Sequence, residues 1–261
     1  MGRAPLPRSI GDLTSPEINQ RLKPTSILCL PLGAIEQHGT HLPLNTDVVV
    51  AEELTRAIVT RLGDEFDLWQ LPTVPIGLSR EHDWAPGTLS LSVAGFAALL
   101  NELARELTRA LPARNLAIVN GHGGNRGILE SLLQELRSDL SLNACVLHPF
   151  DLIKVAGKPA GPDVHGGVGE TSLMLALAPD LVRRDQIAAH GAPPRPDTVA
   201  ALIFDRGVTF PWRTDDPRLA RVGVIGDPAA ASAELGQAML ESFVKEARSV
   251  LIRLLENQKT S

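Results

Sequence analysis

Short apolar runs alternate with longer stretches of helical spacing through most of the chain, and that alternation limits the folds open to it. SILCLPLGAI (26–35) predicts a buried strand that ends in a glycine-containing turn. The stretch VVVAEELTRAIVTRL that follows predicts a helix with Asp47 as its N-cap. LWQLPTVPIG (68–77) is extended, and its prolines predict an irregular or edge strand. An amphipathic helix is expected over 93–110, a strand over 115–120, a helix over 125–137 and a strand over 143–150. Residues 170–178 are expected to be helical up to Pro179, residues 190–227 to be loops, and 228–257 to form a long amphipathic helix. Strands separated by helices pair in parallel, so the expected class is α/β with a mostly parallel sheet covered on both faces. No repeat, low-complexity tract or composition shift marks a boundary, so residues 1–261 are expected to form one domain.

Composition removes several function classes. The net charge is -5, there is no lysine- or arginine-rich run, and aromatic residues make up 3% with no tyrosine. Nucleic-acid binding needs a basic stripe and stacking rings, so no nucleic-acid partner is expected. The longest apolar stretch, Ile27 to Ile35, is broken by Pro31 and is far shorter than a membrane span. Cys29 and Cys145 sit in apolar strand-like segments and match no zinc or redox spacing. Two thiols and no apolar leader core predict a cytoplasmic protein without a membrane partner.

The chemistry concentrates in loops at the expected carboxyl ends of strands, the edge where open α/β sheets bind ligands. Glu36 and His38 follow the first strand two residues apart, so an extended backbone turns both the same way. With Asp47 nearby they make a carboxylate, imidazole and carboxylate set suited to zinc, manganese or iron. The alternative is three polar loop residues holding no ion. Asn120-Gly121-His122-Gly123-Gly124-Asn125 ends the next strand and opens a helix. It presents His122 as a ligand, or holds an anion at a glycine-rich helix start, or is a satisfied turn. In His165-Gly166-Gly167-Val168-Gly169-Glu170, a buried Glu170 opening an apolar helix needs a partner or a metal, unless it only favours the helix's positive end. His165 is a candidate for proton transfer or for supporting a ligand. His82, in the loop Glu81–Thr88, either lines the pocket or is an exposed loop histidine. His148 and His190 lack acidic company and are read as structural or solvated. Trp69 and Trp212 are read as packing residues.

These pieces together resemble the creatininase family, the creatinine amidohydrolases. The resemblance rests on PLGAIEQHGTHLPLNTD (31–47), EH…PGT (81–88), VNGHGGN (119–125), HGGVGETSLMLALAPDLV (165–182) and GVIGDPAAASAELG (223–236). It implies a three-layer α/β/α fold and a centre of one or two divalent ions, zinc, manganese or iron. It also implies hydrolysis of an amide C–N bond in a small molecule or peptide, and a homo-oligomer, commonly a hexamer. By motif, the implied metal ligands are Glu36, His38, Asp47, His122 and Glu170, with Asp47 able to bridge two ions. His165 and Glu170 are the implied catalytic residues, and His82, Asn120 and Asn125 are the candidates for substrate binding. Creatininase proper carries a metal-binding acid where this chain has Gly124, which argues against creatinine as substrate. The branch that trims the mycofactocin precursor, with release of a C-terminal dipeptide, looks most similar. Other cyclic-amide and formamide hydrolases stay open.

Two readings from other classes stand beside it. One is an anion-binding protein built on the GHGGN turn. The other is a scaffold with a structural ion, but structural zinc sites are mostly Cys and His, and this carboxylate-rich set lacks cysteine.

Overall fold

The computed structural model describes residues 8–156, 161–190, 194–205, 207–220 and 222–259. The side chain of His190 lies outside the described residues. Four strands, β1 (Ile27–Leu32), β2 (Leu68–Gln70), β3 (Asn115–Asn120) and β4 (Asn143–Leu147), form one sheet in the order β2-β1-β3-β4. Every pairing is parallel, with Ile27 opposite both Leu68 and Asn115, and Asn115 opposite Asn143. Among the described residues, eight α-helices accompany them: α1 (Ser15–Arg21), α2 (Thr46–Phe66), α3 (Val93–Ala110), α4 (Arg126–Leu140), α5 (Pro149–Leu152), α6 (Val168–Leu177), α7 (Pro196–Val199) and α8 (Ala233–Lys259).

Successive strand side chains point to opposite faces, and the buried apolar residues divide accordingly. Ile27, Cys29, Ala117 and Val119 join a core with residues of α2, α6 and α8. Leu28, Leu30, Leu32, Leu116 and Ile118 join a second core with residues of α3 and α4. All six positions of β1 and of β3 are buried. Helices thus cover both faces, which makes the three-layer α/β/α arrangement expected from the sequence. Trp69 is buried in the second core, with the Arg8 and Arg21 guanidinium carbons 5.2 and 4.7 Å from its ring centre. Trp212 packs against Val199, Leu219 and Ile225.

Helix α3 and strand β3 have the bounds expected from the spacing of their apolar residues. Ser92 caps α3, its Oγ accepting the Gly95 N–H at 3.0 Å. Two expectations are corrected. Asp47 is not the N-cap of α2: Asn45 holds that place, and Asp47 sits in the first helical turn. Residues 190–227 are not all loop, since α7 continues into a wider helical turn over 200–204. Among the described residues, no helix is long and apolar enough to cross a membrane.

The strand order reverses between β1 and β3, and the crevice above their carboxyl ends is where such sheets hold ligands. The first turn of α2 is wedged against both strand tips. A Cβ on Gly33, just past β1, would lie 2.6 Å from Val48 N. One on Gly121, just past β3, would overlap Asp47 O. Only glycine lets the helix start come this close.

Helices α6 and α8 meet with the same intimacy, because a Cβ on Gly236 would overlap the Ser172 carbonyl oxygen and lie 2.9 Å from Ala176 Cβ. Gly236→Ala is expected to cost about 2 kcal/mol by overpacking, read as a lower urea midpoint at unchanged slope. An unchanged midpoint would contradict this helix contact.

Candidate metal centre

Two loops and two helix starts converge above β1 and β3. The loop after β1 brings Glu36 and His38, the start of α2 brings Asp47, the turn after β3 brings His122, and the first turn of α6 brings Glu170. Glu36 and His38 are fully buried, Asp47 and His122 nearly so. Four buried ionisable groups and a partly buried Glu170 need partners, and the distances show how they are arranged.

Two clusters share Asp47. Glu36 Oε1 and Asp47 Oδ2 lie 3.2 and 3.1 Å from His122 Nδ1. On the other side, Asp47 Oδ1 and Glu170 Oε2 lie 3.1 and 3.6 Å from His38 Nε2. Each set offers three ligand atoms within 4.8 Å of one another, as does Glu36 with His38 and His165. Zinc–ligand bonds of about 2.0–2.1 Å in a tetrahedron put ligand atoms about 3.3 Å apart, so the spacing fits.

The outer ring nitrogens reinforce the fit. His122 Nε2–H donates to Leu78 O at 2.6 Å, and His38 Nδ1–H donates to Glu36 O at 3.1 Å. Each bond leaves the opposite nitrogen bare toward the carboxylates, the usual support of a metal-binding imidazole. Neither Glu36 oxygen has a hydrogen bond, and neither does Asp47 Oδ2, although imidazole nitrogens stand close. Buried oxygens of this kind are costly unless a cation sits among them.

Without that cation the charges pull hard on protons. Burial opposes a charged His38, but Asp47, Glu170 and Glu36 outweigh it and push it up to about 10. His122 is likewise raised by Glu36 and Asp47 against burial. Burial raises Glu36 despite His122, and pushes Glu170 up to about 8 despite His38. Burial alone would raise Asp47, but His38 and His122 hold it well below the usual carboxylate range. His82 and His165 are driven down by burial and by neighbouring rings, which keeps both neutral.

His165 and His82 complete the wall. His165 Nδ1 and His82 Nε2 lie 3.5 and 3.3 Å from Glu36 Oε1, and their ring centres are 4.1 Å apart. His82 is 1% exposed, so it is no surface loop histidine. His165 is fixed by a two-way backbone pairing with Ile225 in the segment GVIGDP. Asn120 and Asn125 spend their amides elsewhere. Asn125 Oδ1 accepts from Leu78 N, and its Nδ2 donates to Gly33 O and Asn120 Oδ1. Asn120 Nδ2 donates to His122 O and meets His148 Nδ1 at 3.3 Å. These bonds fit stapling of the strand tips better than contact with a substrate. Glu170 Oε2 also accepts the Gly166 N–H at 2.5 Å, which fixes the carboxylate across its own helix start.

Two residues in this wall escaped sequence reading. Gln37 separates Glu36 from His38, and alternation turns its side chain away from theirs toward His82. Thr214, fully buried, joins His82 from a distant loop, with no sequence signal at all. The position of Gly124 also acquires a reason. A Cβ there would overlap Leu78 O and lie 2.5 Å from His122 Nε2 and 2.8 Å from Glu81 Oε1. The absence of a side chain lets Leu78 O reach the ring it orients.

The family model described as creatinine amidohydrolase, Creatininase, matches residues 11–251. A mycofactocin precursor peptide peptidase of Mycobacterium ulcerans is 32% identical over 259 residues, covering 96% of this chain and 93% of that protein. A creatinine amidohydrolase of Pseudomonas putida is 33% identical over 260 residues, covering 90% and 93%. Among solved structures, a creatininase mutant complexed with creatine aligns with a TM-score of 0.76 at 31% identity, over 93% of this chain and 96% of that one. A manganese form of creatininase and a mutant of the Zn-Zn type align equally well at 30% identity.

Because Asp47 serves both clusters, Asp47→Asn is expected to lower bound metal below about a tenth of the wild-type content, itself about one to two equivalents per chain. Glu36→Gln and Glu170→Gln, each touching one cluster, are expected to keep roughly half. Elemental analysis after dialysis checks this, and equal loss in all three variants would contradict the shared-ligand arrangement.

Proposed function

The chain belongs to the creatininase family, and from that premise we propose a metal-dependent amidohydrolase that cleaves an amide C–N bond with water. The observation that carries this reading is the Asp47 carboxylate, buried between two ligand sets with both Glu36 oxygens and Asp47 Oδ2 left without hydrogen bonds. We assign Glu36, Asp47 and His122 to one ion and His38, Asp47 and Glu170 to a second. When bound, a divalent cation supplies Lewis acidity there, polarising a carbonyl and acidifying water. Zinc and manganese, which relatives' structures name, suit the mixed nitrogen and oxygen donors.

The chain's own residues do the rest. The three carboxylates and two imidazoles would hold the ions among buried side chains, where every charge interaction is strengthened. His165 turns a bare ring nitrogen toward Glu36, in a place to take a proton from water and pass it to the leaving nitrogen. Glu170, held by Gly166 N–H, is fixed beside His38 and keeps that ring in place as proton and charge move. The anion-binding reading has less support, because two carboxylates close on the ring of His122 and would repel an anion.

For the substrate we propose the end of a peptide, as in the mycofactocin precursor peptidases, with loss of a C-terminal dipeptide, rather than creatinine. Support comes from Gly124, where an acid is expected in creatininase and where Leu78 O and Glu81 leave no room for one. We further propose a homo-oligomer, as the family resemblance implies, and single-domain, cytoplasmic chains, as composition and cysteine usage suggest.

The purified protein should shorten a synthetic peptide copying the precursor's C-terminus by two residues, and should act on creatinine at least about a hundredfold more slowly. Chelation should abolish turnover, and zinc or manganese should restore it. Rapid creatinine hydrolysis with the peptide left intact would overturn the substrate assignment. Turnover unaffected by chelation would overturn the metal assignment.

A further inference from the structure

His82 and His165 belong to neither ligand set around Asp47, yet each aims a ring nitrogen at Glu36 Oε1. What that nitrogen offers depends on where the ring carries its proton, and the partner of the opposite nitrogen decides this. Both partners belong to one residue, Gln37.

The backbone carbonyl of Gln37 lies 2.6 Å from His165 Nε2. A carbonyl oxygen only accepts, so His165 carries its proton on Nε2 and turns a bare Nδ1 inward. The side chain of Gln37 settles His82. Its Oε1 accepts the Gly39 N–H at 2.9 Å, and its Nε2 donates to Gly223 O at 3.0 Å. A flipped amide would set donor against donor and acceptor against acceptor at both contacts, so the orientation is fixed. Gln37 Nε2 also lies 3.1 Å from His165 Nε2, whose proton already serves the Gln37 carbonyl, and 3.3 Å from Thr214 Oγ1; its second N–H is nearest His82 Nδ1, at 2.9 Å. His82 Nδ1 must accept it, which leaves the ring's proton on Nε2, facing Glu36.

Thr214, whose Oγ1 lies 3.3 Å from the Gln37 amide nitrogen, is the longer contact and does not fix a tautomer. Its Oγ1 also lies 2.9 Å from His82 Nδ1, but it accepts the Trp84 indole N–H at 2.9 Å and reaches Glu81 O at 3.1 Å. A hydroxyl both donates and accepts, so it suits either tautomer. Gly223 has φ of 82°, and a Cβ there would overlap the Gln37 amide, so glycine is needed for that amide to reach the ring.

We propose that Gln37 is a positioning residue that gives the two histidines opposite faces toward the site, His82 as a hydrogen-bond donor and His165 as an acceptor. The proposal rests on the amide hydrolysis inferred above for its chemical use. The attacking water's proton goes to His165 Nδ1 as its oxygen bonds the carbonyl carbon. That proton passes to the leaving nitrogen as the C–N bond breaks. His82 keeps its proton throughout. That proton, on Nε2 at 3.3 Å from Glu36 Oε1, makes the nitrogen unavailable as a metal ligand.

Neutron diffraction from deuterium-exchanged crystals tests this without reference to turnover. In the wild type, deuterons are expected on Nε2 of both rings and on Nδ1 of neither. In Gln37→Glu, whose carboxylate cannot donate, the His82 deuteron is expected to move to Nδ1. In Thr214→Val it is expected to stay on Nε2. A wild-type deuteron on His82 Nδ1, or on His165 Nδ1, overturns the proposal whether or not the protein hydrolyses amides. So does a His82 deuteron that stays on Nε2 in Gln37→Glu, or one that moves in Thr214→Val. The wild-type map decides even if the Gln37 variant does not fold.

Discussion

The carboxylate of Asp47 is the point on which the structure turns. One of its oxygens faces His122 and the other His38, and both histidines are buried with it. The fold's role is to deliver that carboxylate between two strand tips. It does so by starting α2 against Gly33 and Gly121, where any side chain would push the helix away. Helix, turn and sheet are thus coupled to the site by backbone contact, before any ligand chemistry enters.

The cost of this arrangement explains its other parts. Glu36 and Asp47 lie in surroundings that penalise charge, and three of their four oxygens lack the hydrogen bonds that would offset burial. Protein groups answer only part of the deficit. His38 and His122 are drawn toward the charged form, while His82 and His165 are kept neutral. A divalent cation would answer the rest in place of those protons, so metal binding and protonation would compete for the same atoms. The outer bonds to Leu78, Glu36 and Gln37 backbone carbonyls fix the rings whichever occupant is present.

Much of this was legible in the sequence, for local reasons. The amphipathic spacing of 93–110 and the run NLAIVN gave α3 and β3 their bounds, because both are decided by near neighbours. The ligand candidates stood out because acids and histidines beside glycines at strand ends have few structural uses. Asp47 was misread as an N-cap because aspartate at a helix start usually caps, whereas here the helix begins earlier and the carboxylate is turned to the imidazoles. Asn120 and Asn125 looked like substrate contacts, but their amides are absorbed by the turn that carries His122. Thr214 was out of reach, since it meets His82 across 132 residues of chain.

The most direct test of the account is anomalous diffraction from crystals grown with zinc or manganese. The account predicts two peaks, one on each side of the Asp47 carboxylate, the first beside Glu36 and His122 and the second beside His38 and Glu170. A peak remote from Asp47, or no peak at saturating metal, would contradict it.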